Sequence, residues 1–475
     1  MQRIKKSARI DMTTGPILVN VLRFMLPLLA TNLLQQLYHS ADMMIVGLSP
    51  EPDAVGAIGS TGTYLGLIRN LFIGFSAGAN IVIAKHIGAE DRVQTSMAVH
   101  TSICMSALFG IVGAAVGIAF TRPILVLMGI SGNLLTLAVR YSYIYLACMP
   151  FLSLTNFLSA ILNAQGNTKT PLTVLTATGL LNVGLNLLFV LGCGMSVEGV
   201  AIATAISNAA SCCILWIYLG KKGDSCHIQL RELRISREQF ADIAKIGFPA
   251  GIQNTMFSLS NLLIQSSIVQ VNNALTPVGS AYEPVIKGHS AAISIESFVM
   301  SALGAVGTTA SAFTAQNIGA RNYRRVKKVF VEICLITAGS TLILTTPVIL
   351  FREQLLALYG VKNSNDLLAQ IAYTAAETLI LYKWTMMIPF ALMNACFGTI
   401  RGMGKSAFSA VIALVGTCAF RVVWILTVFR HFETLAAIYI SYPISWVITG
   451  LFAFGVVLHL IRKKTNQTPT ISKAS

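Results

Sequence analysis

The stretch Ile17–Leu48, ILVNVLRFMLPLLATNLLQQLYHSADMMIVGL, decides how the rest of the chain is read. It is apolar, and at about 1.5 Å per helical residue it is long enough to cross the roughly 30 Å hydrocarbon layer of a bilayer. A single acid, Asp42, stands about three-quarters of the way along it. An ionised carboxylate in hydrocarbon costs about 3 kcal/mol or more, so an acid inside a span faces a polar cavity or an ion path. The alternative is an acid at a helix end that reaches interfacial water. The turn Ser49-Pro50-Glu51-Pro52 follows closely enough to keep that alternative open.

Segments of the same kind recur through the chain. Of its 475 residues 55% are hydrophobic and 11% charged, against about 25% charged in soluble domains. Apolar runs fall at 17–48, 54–84, 95–119, 134–162, 170–192, 198–219, 243–273, 288–315, 327–350, 368–400, 407–429 and 435–461. The expected fold class is therefore an all-α polytopic membrane protein with 12 transmembrane helices. No cleavable signal peptide is expected, because the first apolar run is too long and lacks a small-residue cleavage site. The nine cysteines read as small buried hydrophobes rather than metal ligands, since no pair has metal-ligand spacing with a histidine.

Charge orients these spans. With the N-terminus inside, the inner loops and tails carry 24 Lys and Arg, including Arg3, Lys5, Lys6, Lys85, Lys222, Arg321, Lys328 and Lys473. The outer loops carry 5, namely Arg122, Lys287, Arg352, Lys362 and Arg430. That bias places both termini in the cytoplasm. It also accounts for the formal charge of +16. The basic residues are spread over short segments beside an anionic leaflet, which argues against a nucleic-acid partner.

The chain also repeats itself. Pro27 in FMLPLLATNLLQ matches Pro249 in GFPAGIQNTMFS at an offset of 222. Ile87-Gly88-Ala89 matches Ile318-Gly319-Ala320 at 231, and NAQGNTKTP at 163–171 matches TIRGMGKSA at 399–407 at 236. Six spans return the chain to the same side, so the halves form a parallel 6+6 repeat: a bundle over 1–219, a cytoplasmic linker over 220–242, and a second bundle over 243–475. Two such bundles around a cleft are an architecture of alternating access. At the 222 offset Asp42 corresponds to Ile264, so the repeat itself does not demand an acid there.

Over essentially its whole length the chain resembles bacterial transporters of the multidrug and toxic compound extrusion (MATE) family. The resemblance is carried by Pro27, Gln35 and Asp42 in the first span, by A-x-I-G-A-E-D after the second and by N-A-Q-G-N-T-K-T-P after the fourth. Further along it rests on Asn182 and Asn186, on Glu198 to Thr204, on I-G-F-P-A-G, I-E-S-F and Q-N-I-G-A, and on R-G-x-G after the tenth span. It implies two six-helix bundles forming a V-shaped cavity, in a secondary active antiporter that exports amphipathic, cationic organic compounds in exchange for inward H+ or Na+. A lipid or lipid-linked oligosaccharide flippase of the related superfamily is the alternative. Those proteins usually have about 14 spans, which favours the first reading. No P-loop, GxSxG or HExxH signature is present, so neither an enzyme nor an ATP-driven pump is expected. The expected protein is a monomer of the plasma (inner) membrane, with small organic molecules and the lipid bilayer as partners and no cofactor beyond the coupling ion.

Carried onto this sequence, the coupling-ion site is Asp42, Asn182, Asn186 and Thr204. Asn182 and Asn186 are four apart and share a helix face. One carboxylate among neutral oxygens suits a proton, because burial disfavours the ionised form of an acid. It also suits Na+ held at the same four residues. Part of the family has Asp where this chain has Asn186, so the balance leans towards H+. Gln35, Tyr141, Gln253, Met256 and Glu296 are expected to line the substrate cavity, with Glu296 binding cationic groups. Pro27, which lacks an N–H, is the expected hinge. The surroundings of Phe257 and Phe390 are apolar, which concentrates coupling chemistry in the N-terminal half. Arg69 is expected to pair with Asp42 or Glu296, or to favour anionic or zwitterionic substrates. Glu377 and Lys383 are expected at the membrane interface.

Overall fold

The computed structural model describes residues 9–221, 225–276 and 283–466. Arg3, Lys5, Lys6, Lys222 and Lys473, counted above on the inner side, lie outside the described residues. Among those described, every regular element is helical. Also among the described residues, nine helices and two bent helix pairs are long and apolar enough to cross a membrane. The remaining long helix, Arg237–Leu275, is the seventh span, in which Asn, Gln and Ser recur between the apolar residues.

The two bends have the same cause. The fourth span is Gly132–Ala147 followed by Met149–Ala164 at 47°, and the tenth is Leu367–Trp384 followed by Met387–Gly402 at 50°. In each pair a proline, Pro150 or Pro389, lies in the first turn of the second helix. There its missing N–H is harmless, but its ring blocks continuation of the preceding helix. Pro27 lies instead inside the unbroken first span, Ile17–Val46. The carbonyl of Pro27 accepts a bond from Thr31 Oγ1 at 2.8 Å.

The chain forms two compact units. The first is built on Arg23–Thr255, joined by Ala315–Arg321 and by the segment ending at Gly15. The second is built on Met256–Thr314 and the chain from Asn322 on, with Pro16–Leu22. The boundary falls inside the seventh helix, downstream of the linker at 220–242, because the start of that helix packs tightly in the first unit. Gly74 and Gly78 of the second span (Ala54–Gly88) face Gly247 and Gly251 of the seventh. A methyl on Gly78 would meet the backbone of Ile243 at 2.6 Å and of Gly247 at 2.7 Å. Lipid supplies little hydrophobic drive between helices, so close backbone approach through small residues holds them together. Gly78→Val is accordingly expected to destabilise the protein by about 1–3 kcal/mol. A thermal midpoint in detergent equal to that of the unmodified protein would contradict this packing.

The repeated I-G-A sequence has a structural reason. A methyl on Gly88 would strike the carbonyl of Gln316, and one on Gly319 would strike that of Lys85. The contact is reciprocal, as between twofold-related positions. Each helix then ends on a left-handed residue, Glu90 or Arg321. The next helix is capped by Asp91, accepting from Gln94 N at 3.0 Å, or by Asn322, accepting from Arg325 N at 3.2 Å.

One core of the first unit gathers Ile81, Val82, Met105, Phe157 and Leu162, and another gathers Tyr64, Phe72, Leu125, Leu146 and Val200. Large apolar residues such as Leu180, Leu191, Ile343 and Leu451 are exposed on the helices, as a bilayer solvent permits. The cysteines divide: Cys148, Cys212, Cys226 and Cys396 are buried, whereas Cys193 and Cys213 are exposed and correct the expectation of uniformly buried thiols.

Candidate functional site

Three helices of the first unit bring Asp42 to its neighbours. The first and fifth spans approach closely because Gly179, on Lys169–Gly192, has no side chain. A methyl there would overlap the ring of Tyr38, whose hydroxyl donates to the carbonyl of Thr176 at 3.3 Å. One turn beyond Tyr38 lies Asp42, and further along the fifth span lie Asn182 and Asn186. Asn186 Nδ2 donates to Asp42 Oδ1 at 2.5 Å and approaches Asn182 Oδ1 at 3.3 Å. Asn182 Nδ2 reaches Thr204 Oγ1 at 3.4 Å on the sixth span, Val197–Gly220, and Asn208 Nδ2 donates to the Thr204 carbonyl at 2.9 Å. Asn186 is fully buried, and its Oδ1 has no hydrogen-bond partner among the described residues. The helix widens into a π turn over Leu188–Gly192, just after Asn186. Such turns are rare and frequent at functional sites.

The structure thus brings Asp42, Asn182, Asn186 and Thr204 into one hydrogen-bonded chain. Tyr141 is buried nearby, stacked on Tyr145 at 5.9 Å between ring centroids and within electrostatic range of Asp42. Arg69 lies within electrostatic range of Tyr141 and Tyr145. Gln35 is exposed on the first span, Gln253 is buried, and Met256 is half-buried in the other unit.

Glu296 has different company. Its carboxylate oxygens both lie 2.7 Å from Lys383 Nζ in the second unit, with the two side chains almost fully buried. Lys383, expected at the interface, is instead inside the helix bundle, because Glu296 compensates its charge. The carboxylate expected to hold cationic substrates therefore already holds a cation. Glu377 pairs with Arg352 at 2.9 Å, both partly exposed. Lys383 also lies 3.8 Å from the centroid of the Tyr442 ring, and the guanidinium of Arg421 lies 4.2 Å from that centroid. Arg421 Nε donates to Ser445 Oγ at 3.1 Å. Phe390 stacks near Trp446 at 4.9 Å, beside this cluster. The surroundings of Phe390 are thus aromatic and charged rather than plainly apolar.

Arg421 was not among the expected site residues. Its signal was available: a lone charge in the apolar run AFRVVWILTVF, the same signature that singled out Asp42.

The family model described as MatE matches residues 27–188 and 258–427. The probable multidrug resistance protein YoeA of Bacillus subtilis (strain 168) is 27% identical over 453 residues, covering 93% of this chain and 93% of YoeA. The multidrug export protein MepA of Staphylococcus aureus (strain bovine RF122 / ET3-1) is 24% identical over 272 residues. That match spans 57% of this chain and 60% of MepA, less than two thirds of the latter. A solved outward-facing conformation of a multidrug resistance MATE family transporter of the MOP superfamily superposes with a TM-score of 0.86 at 20% identity, over 96% of this chain and 99% of the other. A MATE structure in the straight conformation gives a TM-score of 0.86 at 19% identity, over 96% and 99%. At such identities the likeness is one of fold: twelve transmembrane helices in two bundles.

Proposed function

The chain belongs to the MatE family, and on that premise we propose that it is a secondary active antiporter exporting amphipathic organic compounds, cations among them, in exchange for protons. It is a multi-span membrane transporter and not an enzyme. The observation that carries the proton assignment is the bond from Asn186 Nδ2 to Asp42 Oδ1. It is the bond an ionised carboxylate accepts from an amide. Once protonated, Asp42 gains a donor. The Asn186 Oδ1 atom, buried and without a partner among the described residues, is the acceptor it can use after the amide turns over. One side chain thus supports both protonation states of the acid. A Na+ ion would have to recruit Asn182 Oδ1 and Thr204 Oγ1, both of which already face amide donors.

In this reading Asp42 is protonated from outside, the Asn186 bond is exchanged, and the first span readjusts at Pro27, where one helical hydrogen bond is missing. Substrate release follows from that readjustment.

Two measurements test the proposal. In vesicles at fixed pH, replacing Na+ by K+ should leave proton-driven export of a fluorescent organic cation within about twofold, since RT ln 2 is below 1 kcal/mol. Export that stops and returns only with added Na+ would make Asp42, Asn182, Asn186 and Thr204 a Na+ cage. The basic inner loops support cytoplasmic termini. An Asn322→Cys variant in a cysteine-depleted background should therefore resist an impermeant maleimide added outside intact cells, and efficient labelling would reverse the topology.

A further inference from the structure

The buried cluster of the second unit carries more positive than negative charge. Glu296, Lys383 and Arg421 are 4%, 3% and 4% exposed. Among the described residues Glu296 is the one acid whose charge reaches either cation, and both of its oxygens are taken by Lys383. Arg421 is left with Ser445 Oγ on Nε and the face of Tyr442. Its Nη–H donors have no protein acceptor among the described residues, and their nitrogens are not among the fully buried atoms left without a partner, so they keep accessible surface. A ring face attracts a guanidinium but does not neutralise it. A buried cation without a compensating anion is costly.

The local helix geometry is also unusual. Arg421 lies on a short α-helical piece, Phe420–Trp424, between π turns at Leu414–Ala419 and Ile425–Phe429. The fifth span, matched to the eleventh by the repeat, has its own π turn beside Asn186. Around Arg421 the surfaces are aromatic, with Tyr442 and Trp446 at 5.9 Å between centroids and Phe390 and Trp446 at 4.9 Å, and the stacked pair His289 and Tyr439 at 5.8 Å lies on the side of Lys383 and Glu296.

From this charge excess, the unmet donors and the aromatic walls, we infer that Arg421, supported by Lys383, is a receptor for the carboxylate of an aromatic organic anion or zwitterion. The planar guanidinium fork matches a carboxylate with two parallel N–H donors. Lys383 adds a second positive charge without giving up Glu296, and the rings accept the apolar body of the ligand. The inference deepens the reading of the protein as an exporter of amphipathic organic compounds and rests on it. It adds carboxylate-bearing molecules to the substrates.

The test uses the full-length protein in lipid nanodiscs, with 1-naphthoate as probe and 1-naphthylmethylamine as its cationic counterpart. Binding is followed by tryptophan fluorescence, because Trp446 lies in the cluster. Naphthoate should bind at least tenfold more tightly than the amine. Arg421→Gln should weaken naphthoate at least tenfold and leave the amine unchanged, whereas Arg421→Lys, which keeps the charge, should weaken it less. Equal affinity for the two probes in the unmodified protein overturns the inference even if neither variant folds, and so does undiminished naphthoate binding by Arg421→Gln. Asp42→Asn should keep naphthoate binding. Loss of anion binding alongside intact proton-driven export of cations would sink the receptor and spare the antiporter. Anion binding without any gradient-driven export would do the reverse.

Discussion

Asp42→Asn is expected to reduce gradient-driven export at least a hundredfold, to the background of vesicles without transporter, while the protein still inserts and keeps its thermal midpoint within a few degrees. The substitution is nearly isosteric, so the packing of Tyr38 against Gly179 that brings the first span to the fifth is undisturbed. What changes is chemistry. The carboxylate accepts from Asn186 Nδ2 and can bind a proton, whereas an amide can accept from the same donor but does not take up a proton and change its charge near neutral pH. The variant therefore keeps one state of the site and loses the other. A driving force can shift an equilibrium only by its differential interaction with two states, and without proton uptake the gradient has nothing to act on. Measurement of export and of surface expression in the same vesicles checks the outcome. Wild-type rates in the Asn variant would remove Asp42 from the coupling step.

Sequence and structure agree where the physics is local, and they part where it is not. A span is legible because an apolar run of sufficient length has no other comfortable place, and each of the twelve runs coincides with a long helix or a bent pair. The bends near Cys148 and Thr385 were missed, since the runs 134–162 and 368–400 stay apolar across Pro150 and Pro389. Hydropathy does not register a missing N–H. Asp42 was legible as a lone charge, and Asn182 and Asn186 as a pair on one helix face. The pairing of Glu296 with Lys383 was not, because the partners are 87 residues apart on different helices. Without that pairing Lys383 reads as an end-of-span lysine reaching for water. The I-G-A repeat could be seen in the sequence, but its reason could not: each glycine makes room for a carbonyl of the other copy.

That hidden pair carries the second large effect. Lys383→Met is expected to cost about 3–5 kcal/mol, because it leaves Glu296 ionised and uncompensated inside the bundle. The side chain it removes is held at 2.7 Å by both carboxylate oxygens and rests on the Tyr442 ring at 3.8 Å, so its loss takes away the one cation that touches the buried carboxylate. Removing both charges should be far milder. In Lys383→Met combined with Glu296→Gln no buried acid is left alone, and apolar atoms fill most of the lysine's volume. A buried ion pair is often nearly neutral when exchanged as a whole, since attraction between the partners mainly offsets the cost of taking them out of water. The double variant should recover most of the lost stability, and the difference between the single and double variants measures the coupling directly. Thermal midpoints in detergent, with denaturant unfolding where it is reversible, give the comparison. A single variant as stable as the unmodified protein would mean that Glu296 finds another partner, and Arg421, which already feels its charge, is the nearest candidate.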